Sequence, residues 1–236
     1  MPDNCSSVVM VIGAHHDDNE LVAGTLAHYK AAGWEMVSVV VTEGSWIKGK
    51  IAEEHISIRE AESRDSAAMM GWTCSFLRFP EGLFRNCQEY RTALVEQIRR
   101  FAPAVVITHP PLDYHRDHMQ VSQCVYECIM SDCSSPFLKT SSPPCSPPML
   151  YYCDSWFTAF EPDCFVAISD DEMNLKCKML SCHKSQLPQG ESHEESIIDL
   201  VKIQSRTRGV QAGFRYAEAF RFQPMPGRPR SGTLLV

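Results

Sequence analysis

Short apolar runs without polar alternation recur along the first half of the chain, and segments with helical spacing separate them. Four such runs are interpreted as strands: Val8–Ala14, Met36–Val41, Ser75–Phe79 and Ala104–Thr108. Four other segments are interpreted as helices: Glu20–Ala32, Ala52–Met70, Cys87–Phe101 and about His118–Ile129. Strands that are apolar on both sides are buried on both faces, so the pattern predicts a mainly parallel sheet covered by helices.

The second half of the chain is less regular. Ser131–Met149 is rich in Ser and Pro and predicts a long irregular loop. Four further elements follow it, two strands and then two helices: Leu150–Cys153, Cys164–Ile168, Asp170–Cys182 and Glu194–Arg206. The tail 224–236 is expected to be extended, and residues 1–236 are expected to form a single domain.

The composition limits which binding partners and which cellular compartment are expected. A net charge of -7 argues against general affinity for nucleic acid or anionic membranes. We find neither a signal peptide nor an apolar stretch of bilayer length, which predicts a cytoplasmic protein with no membrane anchor. The 11 cysteines form no CxxC pair, so free thiols are expected. Cys124 and Cys128 share a helical stripe with Val121 and Val125, which indicates core packing and not metal binding.

Two short motifs of histidine and aspartate carry the candidate chemistry. They are Ala14–Glu20, with the sequence AHHDDNE, and Asp113–His118, with the sequence DYHRDH. The first motif follows strand one, and the second follows the fourth predicted strand. A Rossmann-like strand order sets these two strands side by side and binds ligands beyond their carboxyl ends. His15 and His115 are therefore expected to face one another there.

A nucleotide site is the first alternative at this position. The stretch Gly13–Asp18 lacks the glycines of a GxGxxG turn and carries two carboxylates where a phosphate would lie. Like charges would repel the ligand, so a dinucleotide site is not expected.

A catalytic metal site fits the residues better. Zinc in such sites commonly takes three His or carboxylate ligands and leaves a position for water. His15, Asp18 and His118 supply these ligands, and Asp17 is free to act as the base. His115 remains to stabilise the oxyanion or donate a proton, and Asp117 could hold a ligand imidazole. Simpler interpretations stay open for two residues. Asp18 could cap the following helix, and Glu20 could either cap that helix or support the metal loop.

These residues resemble the LmbE-like, or PIG-L-type, deacetylases. The first motif is similar to the family's AHPDD-x-E signature and the second to its HPDH signature. Further segments agree in order and spacing from about Val8 to Phe222: Gly24–Leu26, Arg59 with Glu62, Ala67–Gly71, His183–Gln186, Arg208–Gly209 and Tyr216–Phe220. His16 and Arg116 replace the two motif prolines, and His16 stays open as an alternative ligand.

The resemblance implies a Rossmann-like fold and zinc-dependent removal of an acyl group from an amide nitrogen. Carried over position by position, it makes His15, Asp18 and His118 the zinc ligands. Asp17 becomes the general base, and His115 the residue that assists the tetrahedral intermediate. Arg59 matches a residue near the substrate, although a helix-surface ion pair is its alternative.

The sequence thus predicts a zinc-dependent deacetylase of an N-acetylamino sugar or its conjugate. Two other functions stay open: hydrolysis of a non-sugar acylated metabolite, and sugar or metal binding without catalysis. A homo-oligomer is possible. The specificity loops are expected around Ser45–Lys50 and Ser131–Met149.

Overall fold

In the computed structural model, residues 7–47, 49–188 and 196–225 are described. Nine strands occur in these ranges: β1 Val8–Gly13, β2 Glu35–Thr42, β3 Trp46–Ile47, β4 Lys50–Ile51, β5 Thr73–Phe79, β6 Val105–Thr108, β7 Met149–Cys153, β8 Cys164–Ile168 and β9 Tyr216–Gln223. The six α-helices there are α1 Ala23–Ala31, α2 Glu53–Met70, α3 Gln88–Phe101, α4 Arg116–Glu127, α5 Asp170–Leu180 and α6 Ile197–Ala212.

Seven strands form the central sheet, in the order β5-β2-β1-β6-β7-β9-β8. The pairs from β5 to β7 are all parallel, and β9 runs antiparallel between β7 and β8. The first and fourth predicted strands, β1 and β6, are direct neighbours, with Ile12 opposite Thr108. The predicted mainly parallel, Rossmann-like fold is therefore confirmed.

Helices cover both faces of this sheet because alternate residues of each strand point to opposite sides. On β1, Met10 and Ile12 join one apolar cluster with α3 and α4. Val9 and Val11 join a second cluster with α1, α2 and α5. The result is three layers, with the core divided between the two faces of the sheet.

Cys124 and Cys128 belong to the cluster under α3 and α4 and are completely buried, as their helical stripe predicted. The ten cysteines of the described ranges are all free thiols.

Several element boundaries differ from the predictions. A 3₁₀ turn at Asn19–Val22 precedes α1, so the helix itself begins at Ala23. A π-helical turn at Cys128–Asp132 extends α4, and residues 133–148 contain no helix or strand. α6 begins at Ile197 and ends at Ala212, six residues beyond the predicted end. Residues 194–195 and 226–236, which the predicted helix and tail include, lie outside the described residues.

Within the described ranges, no helix combines the length and apolar character needed to cross a bilayer.

Candidate metal centre

His15 and His118 come together at the carboxyl edge of the sheet, where β1 and β6 end. His15 lies two residues beyond β1, and His118 lies in the first turn of α4. Nδ1 of His15 is 3.2 Å from Nε2 of His118, and both side chains are buried. Two imidazole nitrogens at this distance need a proton or a metal ion between their lone pairs.

Asp18 completes the predicted set of three. Its Oδ2 is 3.5 Å from Nδ1 of His15, and its Oδ1 is 3.4 Å from Nε2 of His118. In a tetrahedral zinc site, bonds of about 2.0–2.1 Å hold the ligand atoms about 3.3 Å apart. The distance between the two histidine nitrogens lies close to that value, each nitrogen approaches a different oxygen of Asp18, and the N, N, O donor set suits zinc. Asp18 makes no side-chain cap bond to the turn that follows, so the interpretation as a helix cap is wrong.

His109 is a member of this cluster that the motif analysis missed. It follows β6 directly, and its ring stacks on His118 with centroids 3.9 Å apart. Its Nε2 lies 3.1 Å from Oδ2 of Asp18 and accepts the backbone N–H of Ala14 at 3.0 Å. Two sets of residues could hold a metal ion by proximity, His15–His115–His118 and Asp18–His109–His118. Because the Ala14 amide uses the lone pair of His109, His15 is the better-placed ligand.

Carboxylates face the outer nitrogens of the two central imidazoles. Nδ1 of His118 lies 3.0 Å from Oδ1 of Asp113, which also accepts the N–H of His115 at 2.8 Å. Nε2 of His15 lies 3.4 Å from Oδ2 of Asp117, which accepts the N–H of Gly82 at 2.7 Å. Such partners fix ring orientation and raise the basicity of metal-binding imidazoles. The sequence predicted that Asp117 could hold a ligand imidazole; the contact of Asp113 with His118 is seen only in the structure.

The same carboxylates set the proton affinities of the centre. Burial lowers the pKa of His15, but Asp117 and Asp18 outweigh burial and raise it to about 10. Burial likewise lowers the pKa of His118, and Asp18 and Asp113 raise it to about 9. Burial raises the pKa of Asp18, yet His118 and His109 hold it well below its ordinary range. The centre therefore favours a positive charge, whether a proton or a metal ion carries it.

Asp17 and Arg59 form an ion pair beside this centre. Nη2 of Arg59 lies 3.1 Å from Oδ1 of Asp17. Its Nη1 lies 3.5 Å from both Oε1 of Glu81 and the carbonyl of Trp46. The Arg59 side chain is only 2% exposed, so the alternative of a helix-surface ion pair is wrong. Its guanidinium is turned toward Asp17 and away from solvent, which makes it an anchor for that carboxylate.

His115 is half-buried at the N-cap of α4. Its Nδ1 accepts the N–H of Asp117 at 3.1 Å, so the neutral ring carries its hydrogen on Nε2. Its ring centroid is 4.5 Å from that of His15, edge to face. Burial, followed by the charges of His15 and His118, lowers its pKa to about 4. His115 is thus a neutral donor next to the cluster.

His16 points elsewhere. Its ring is buried, stacks on Phe76 at 5.6 Å and lies outside both candidate metal sets. Gly44 has a φ of +72°, and a Cβ there would come within 2.7 Å of the His16 ring. Neither ring nitrogen of His16 has a hydrogen-bond partner among the described residues. In this structure His16 packs against the Gly44 loop, and His15 alone of the two faces the cluster.

Glu20 ties the first motif to two distant segments. One of its oxygens accepts the Ser66 hydroxyl at 2.6 Å and lies 3.1 Å from Nε2 of His183. Glu62 accepts both the N–H and the hydroxyl of Ser185, at 2.8 and 2.6 Å. Glu20 therefore supports the loop, and the His183–Gln186 segment is held against it.

Comparisons with known proteins agree with this arrangement. The sequence profile of the family described as PIG-L, GlcNAc-PI de-N-acetylase, matches residues 10–129, just over half of the chain. A conserved protein from Thermus thermophilus has a TM-score of 0.80 at 25% identity, covering 95% of this chain and 98% of its own. The N,N'-diacetylchitobiose deacetylase from Pyrococcus horikoshii has a TM-score of 0.79 at 23% identity, with coverage of 94% and 88%. GalB from Pseudomonas putida, a 4-carboxy-2-hydroxymuconate hydratase, has a TM-score of 0.79 at 21% identity, with coverage of 97% and 99%. The last two resemblances support the fold alone.

Proposed function

This chain belongs to the PIG-L family of GlcNAc-PI de-N-acetylases and is a hydrolytic N-deacetylase; we propose that it uses zinc and removes acetate from an N-acetylamino sugar or its conjugate. One observation carries the proposal. Nδ1 of His15 and Nε2 of His118 lie 3.2 Å apart, and each lies within 3.5 Å of one oxygen of Asp18, beside a carboxylate, Asp17, that belongs to neither candidate metal set. That combination supplies three ligands and a separate base, the requirement of metal-assisted hydrolysis.

Zinc would be held by His15, Asp18 and His118, with Asp113 and Asp117 behind the two imidazoles. When bound, it supplies a lowered pKa for water and a Lewis acid for the amide carbonyl. The residues of the chain supply the remaining chemistry.

Asp17 accepts the proton of the attacking water. Arg59 holds this carboxylate by one nitrogen and contacts Glu81 by the other, which fixes the direction of the base. The N–H on Nε2 of His115 then donates to the oxygen on which negative charge develops. Asp17 returns its proton to the amide nitrogen, and the C–N bond breaks to give acetate and a free amine.

We propose a sugar because the family's named activity and the chitobiose deacetylase both concern N-acetylglucosamine units. A non-sugar acylated amine is the second candidate substrate. Arg59, which the resemblance associates with substrate, would act in this protein mainly through Asp17, because its guanidinium is buried and paired. A homo-oligomeric state and a cytoplasmic location stay predictions.

The test is acetate release from a matched set of acetamides. Zinc-reconstituted protein is assayed with N-acetylglucosamine, its methyl glycoside and its disaccharide, and in parallel with N-acetylated amino acids and alkylamines. We expect release from at least one sugar and its loss on removal of zinc with a chelator. Release only from non-sugar amides would contradict the sugar assignment. Hydration of an unsaturated dicarboxylic acid, without acetate release from any amide, would contradict the hydrolysis itself.

A further inference from the structure

Two cysteines close the irregular segment between α4 and β7. Cys133 begins this segment, and Cys145 lies four residues before β7. The backbone N–H of Cys145 donates to the carbonyl of Cys133 at 3.0 Å. Their thiols also form a hydrogen bond with one another. We call Cys133 and Cys145 the loop dithiol.

The loop dithiol lies away from the candidate metal centre. Sγ of Cys145 is 3.8 Å from the carbonyl of Ile98, in the last turn of α3. Sγ of Cys133 is 3.5 Å from the carbonyl of Ile129, in the π-helical turn that extends α4. α3 leads to the amino end of β6, and residues 133–148 lead to the amino end of β7. The two thiols are therefore at the edge of the sheet opposite to the metal centre.

Arg99 fixes the backbone between the two cysteines. Its side chain is buried and donates to three carbonyls of this segment: Cys133 at 3.0 Å, Ser135 at 2.6 Å and Leu138 at 2.9 Å. A disulfide forms without strain only between cysteines whose backbones are already close together. The backbone hydrogen bond between Cys133 and Cys145 meets this condition. A bond between the two sulfurs therefore requires side-chain rotation and little movement of the backbone.

The two thiols differ in access and in acidity. Cys133 is completely buried, whereas Cys145 is half-buried and open to a small solute. The hydrogen bond with Cys133 lowers the pKa of Cys145 below its ordinary range, although burial opposes it, and the charge of Arg99 lowers it further. The same hydrogen bond, together with burial, raises the pKa of Cys133. Because the thiolate is the nucleophile in thiol chemistry, Cys145 is the thiol that reacts first.

Cys124 and Cys128 provide a contrast in the same region. Their side chains also form a hydrogen bond with one another, but both residues are completely buried. Burial, followed by the hydrogen bond with Cys124, raises the pKa of Cys128 well above its ordinary range. A small oxidant cannot reach either sulfur, so this pair is expected to stay reduced.

We propose that the loop dithiol is a thiol–disulfide exchange site whose oxidising partner is a small soluble disulfide, such as oxidised glutathione. This inference goes beyond the proposed function and does not depend on it. The site would exist whether or not the metal centre is occupied.

The exchange takes place in two steps. The Cys145 thiolate attacks one sulfur of the small disulfide, which forms a mixed disulfide and releases one small thiolate; this takes up the proton that Cys145 has lost. The Cys133 thiol then gives up its proton and attacks the Cys145 sulfur, and the second small thiol leaves with that proton. Two protein thiols are oxidised to one disulfide, and one small disulfide is reduced to two thiols. An excess of small thiol reverses both steps.

The new disulfide would join residues 133 and 145 into a closed loop. Such a cross-link restricts the conformations of the unfolded chain and so stabilises the folded one. Because the loop dithiol lies at the opposite edge of the sheet, its oxidation is expected to change stability and to leave the metal centre as it is.

The first measurement is mass spectrometry of the full chain after equilibration in buffers with different ratios of reduced to oxidised glutathione. The samples are quenched with acid, unfolded and alkylated. Trypsin then cleaves after Lys139, between the two cysteines. We expect the peptides that contain Cys133 and Cys145 to be joined in the oxidising buffers and separate in the reducing ones.

Two single variants separate the roles of the thiols. Cys133→Ser should stop at the mixed disulfide, with one glutathione attached to Cys145. Cys145→Ser should carry no glutathione on Cys133, because the remaining thiol is buried. The matched control is Cys177→Ser, which removes a half-buried thiol from α5 and should form the Cys133–Cys145 disulfide as the wild type does.

Thermal unfolding is a second readout, which can be made on the wild type alone. The oxidised protein should have a Tm at least about 3 °C above that of the reduced protein. In Cys145→Ser the two buffers should give equal Tm values. A disulfide that leaves the Tm of the wild type unchanged would contradict the expected effect on stability.

Three outcomes of the mass measurement would overturn the exchange site. The first is a pair of peptides that stays separate in the most oxidising buffer. The second is a wild type that retains glutathione on Cys145 without forming the disulfide. The third is a cross-link that joins Cys145 to a cysteine other than Cys133.

Discussion

The carboxylate of Asp17 is the residue on which the proposed chemistry depends most directly. Replacing Asp17 by Asn keeps the shape of the side chain and one oxygen for Arg59, but an amide is not a base. We expect bound zinc to be retained and acetate release to fall at least about a hundredfold. Metal analysis and steady-state kinetics measure the two quantities.

The matched control for Asp17→Asn is Asp65→Asn, which alters an exposed carboxylate on α2. It should leave both zinc content and turnover at the wild-type level. Undiminished turnover in the Asp17 variant would mean that another group accepts the proton.

Arg59 is expected to fix the orientation of the Asp17 carboxylate and to have little effect on substrate affinity. Lys at this position keeps the positive charge but has a single nitrogen, so it cannot contact Asp17 and Glu81 together. Arg59→Lys should therefore lower kcat by about tenfold with little change in KM. A large rise in KM at normal kcat would instead indicate a direct contact with the substrate. Arg64→Lys, on the exposed side of the same helix, is the control.

The proximity of the candidate site residues was predictable where a motif contains them and not otherwise. His15, Asp18 and His118 stand in two short clusters, and their proximity follows from the adjacency of β1 and β6. His109 is isolated in sequence, and only its position after β6 hinted at the cluster. The contacts of Asp113 and Arg59 depend on side-chain direction, which the spacing of residues does not specify.

At the scale of elements, most strands of the central sheet were predictable because both of their faces are apolar. The exception is β9, which we identified only as a family segment. Its sequence includes Glu218, a buried carboxylate that a strand pattern cannot accommodate by itself. Glu218 accepts Lys176 at 2.9 Å and the N–H groups of Gly24 and Thr25 at 3.1 and 2.8 Å. Lys176, which lies 42 residues before Glu218, thus allows this carboxylate to be buried in the strand. The local sequence around β9 could not reveal this pairing.

This buried pair predicts a stability effect without a catalytic one. Lys176→Met should lower the free energy of unfolding by about 3 kcal/mol, because it leaves the Glu218 charge buried without its cation. The double variant with Glu218→Gln should recover part of that loss, although Gly24 and Thr25 then lose a charged acceptor. Urea denaturation measures both values.

Arg215→Met provides the comparison, since Arg215 pairs with Asp170 in an exposed ion pair. Arg215→Met should lower the free energy of unfolding by less than about 1 kcal/mol. If both variants lost the same free energy of unfolding, the burial of the Lys176–Glu218 pair would have no effect on stability.

At the scale of the whole molecule, acidic side chains cluster at one end of the sheet. The loops that follow β1, β5 and β6, together with the first turn of α4, bring five carboxylates to the same edge: Asp17, Asp18, Glu81, Asp113 and Asp117. The charge is tolerated because three groups oppose it: the buried Arg59 and the imidazoles of His15 and His118. The fold therefore provides a strong site for a cation, and the stability of the protein depends on which cation occupies it.

That dependence predicts how zinc and pH act together. Without metal, His15 and His118 have pKa values of about 10 and 9, above the ordinary 6.5. Their protonated forms stabilise the fold fully below pH 6.5, and this contribution is lost as pH rises through 9 to 10. Zinc carries the charge without a titrating proton, so the difference in Tm between zinc-loaded and chelated protein should widen from about pH 7 to about pH 10. Calorimetric zinc titration at about pH 7.5 should also release protons, because zinc displaces those that His15 and His118 carry below their pKa values of about 10 and 9. His118→Gln should show neither effect, and a Tm difference that stays constant over this range would contradict the charge balance proposed for the centre.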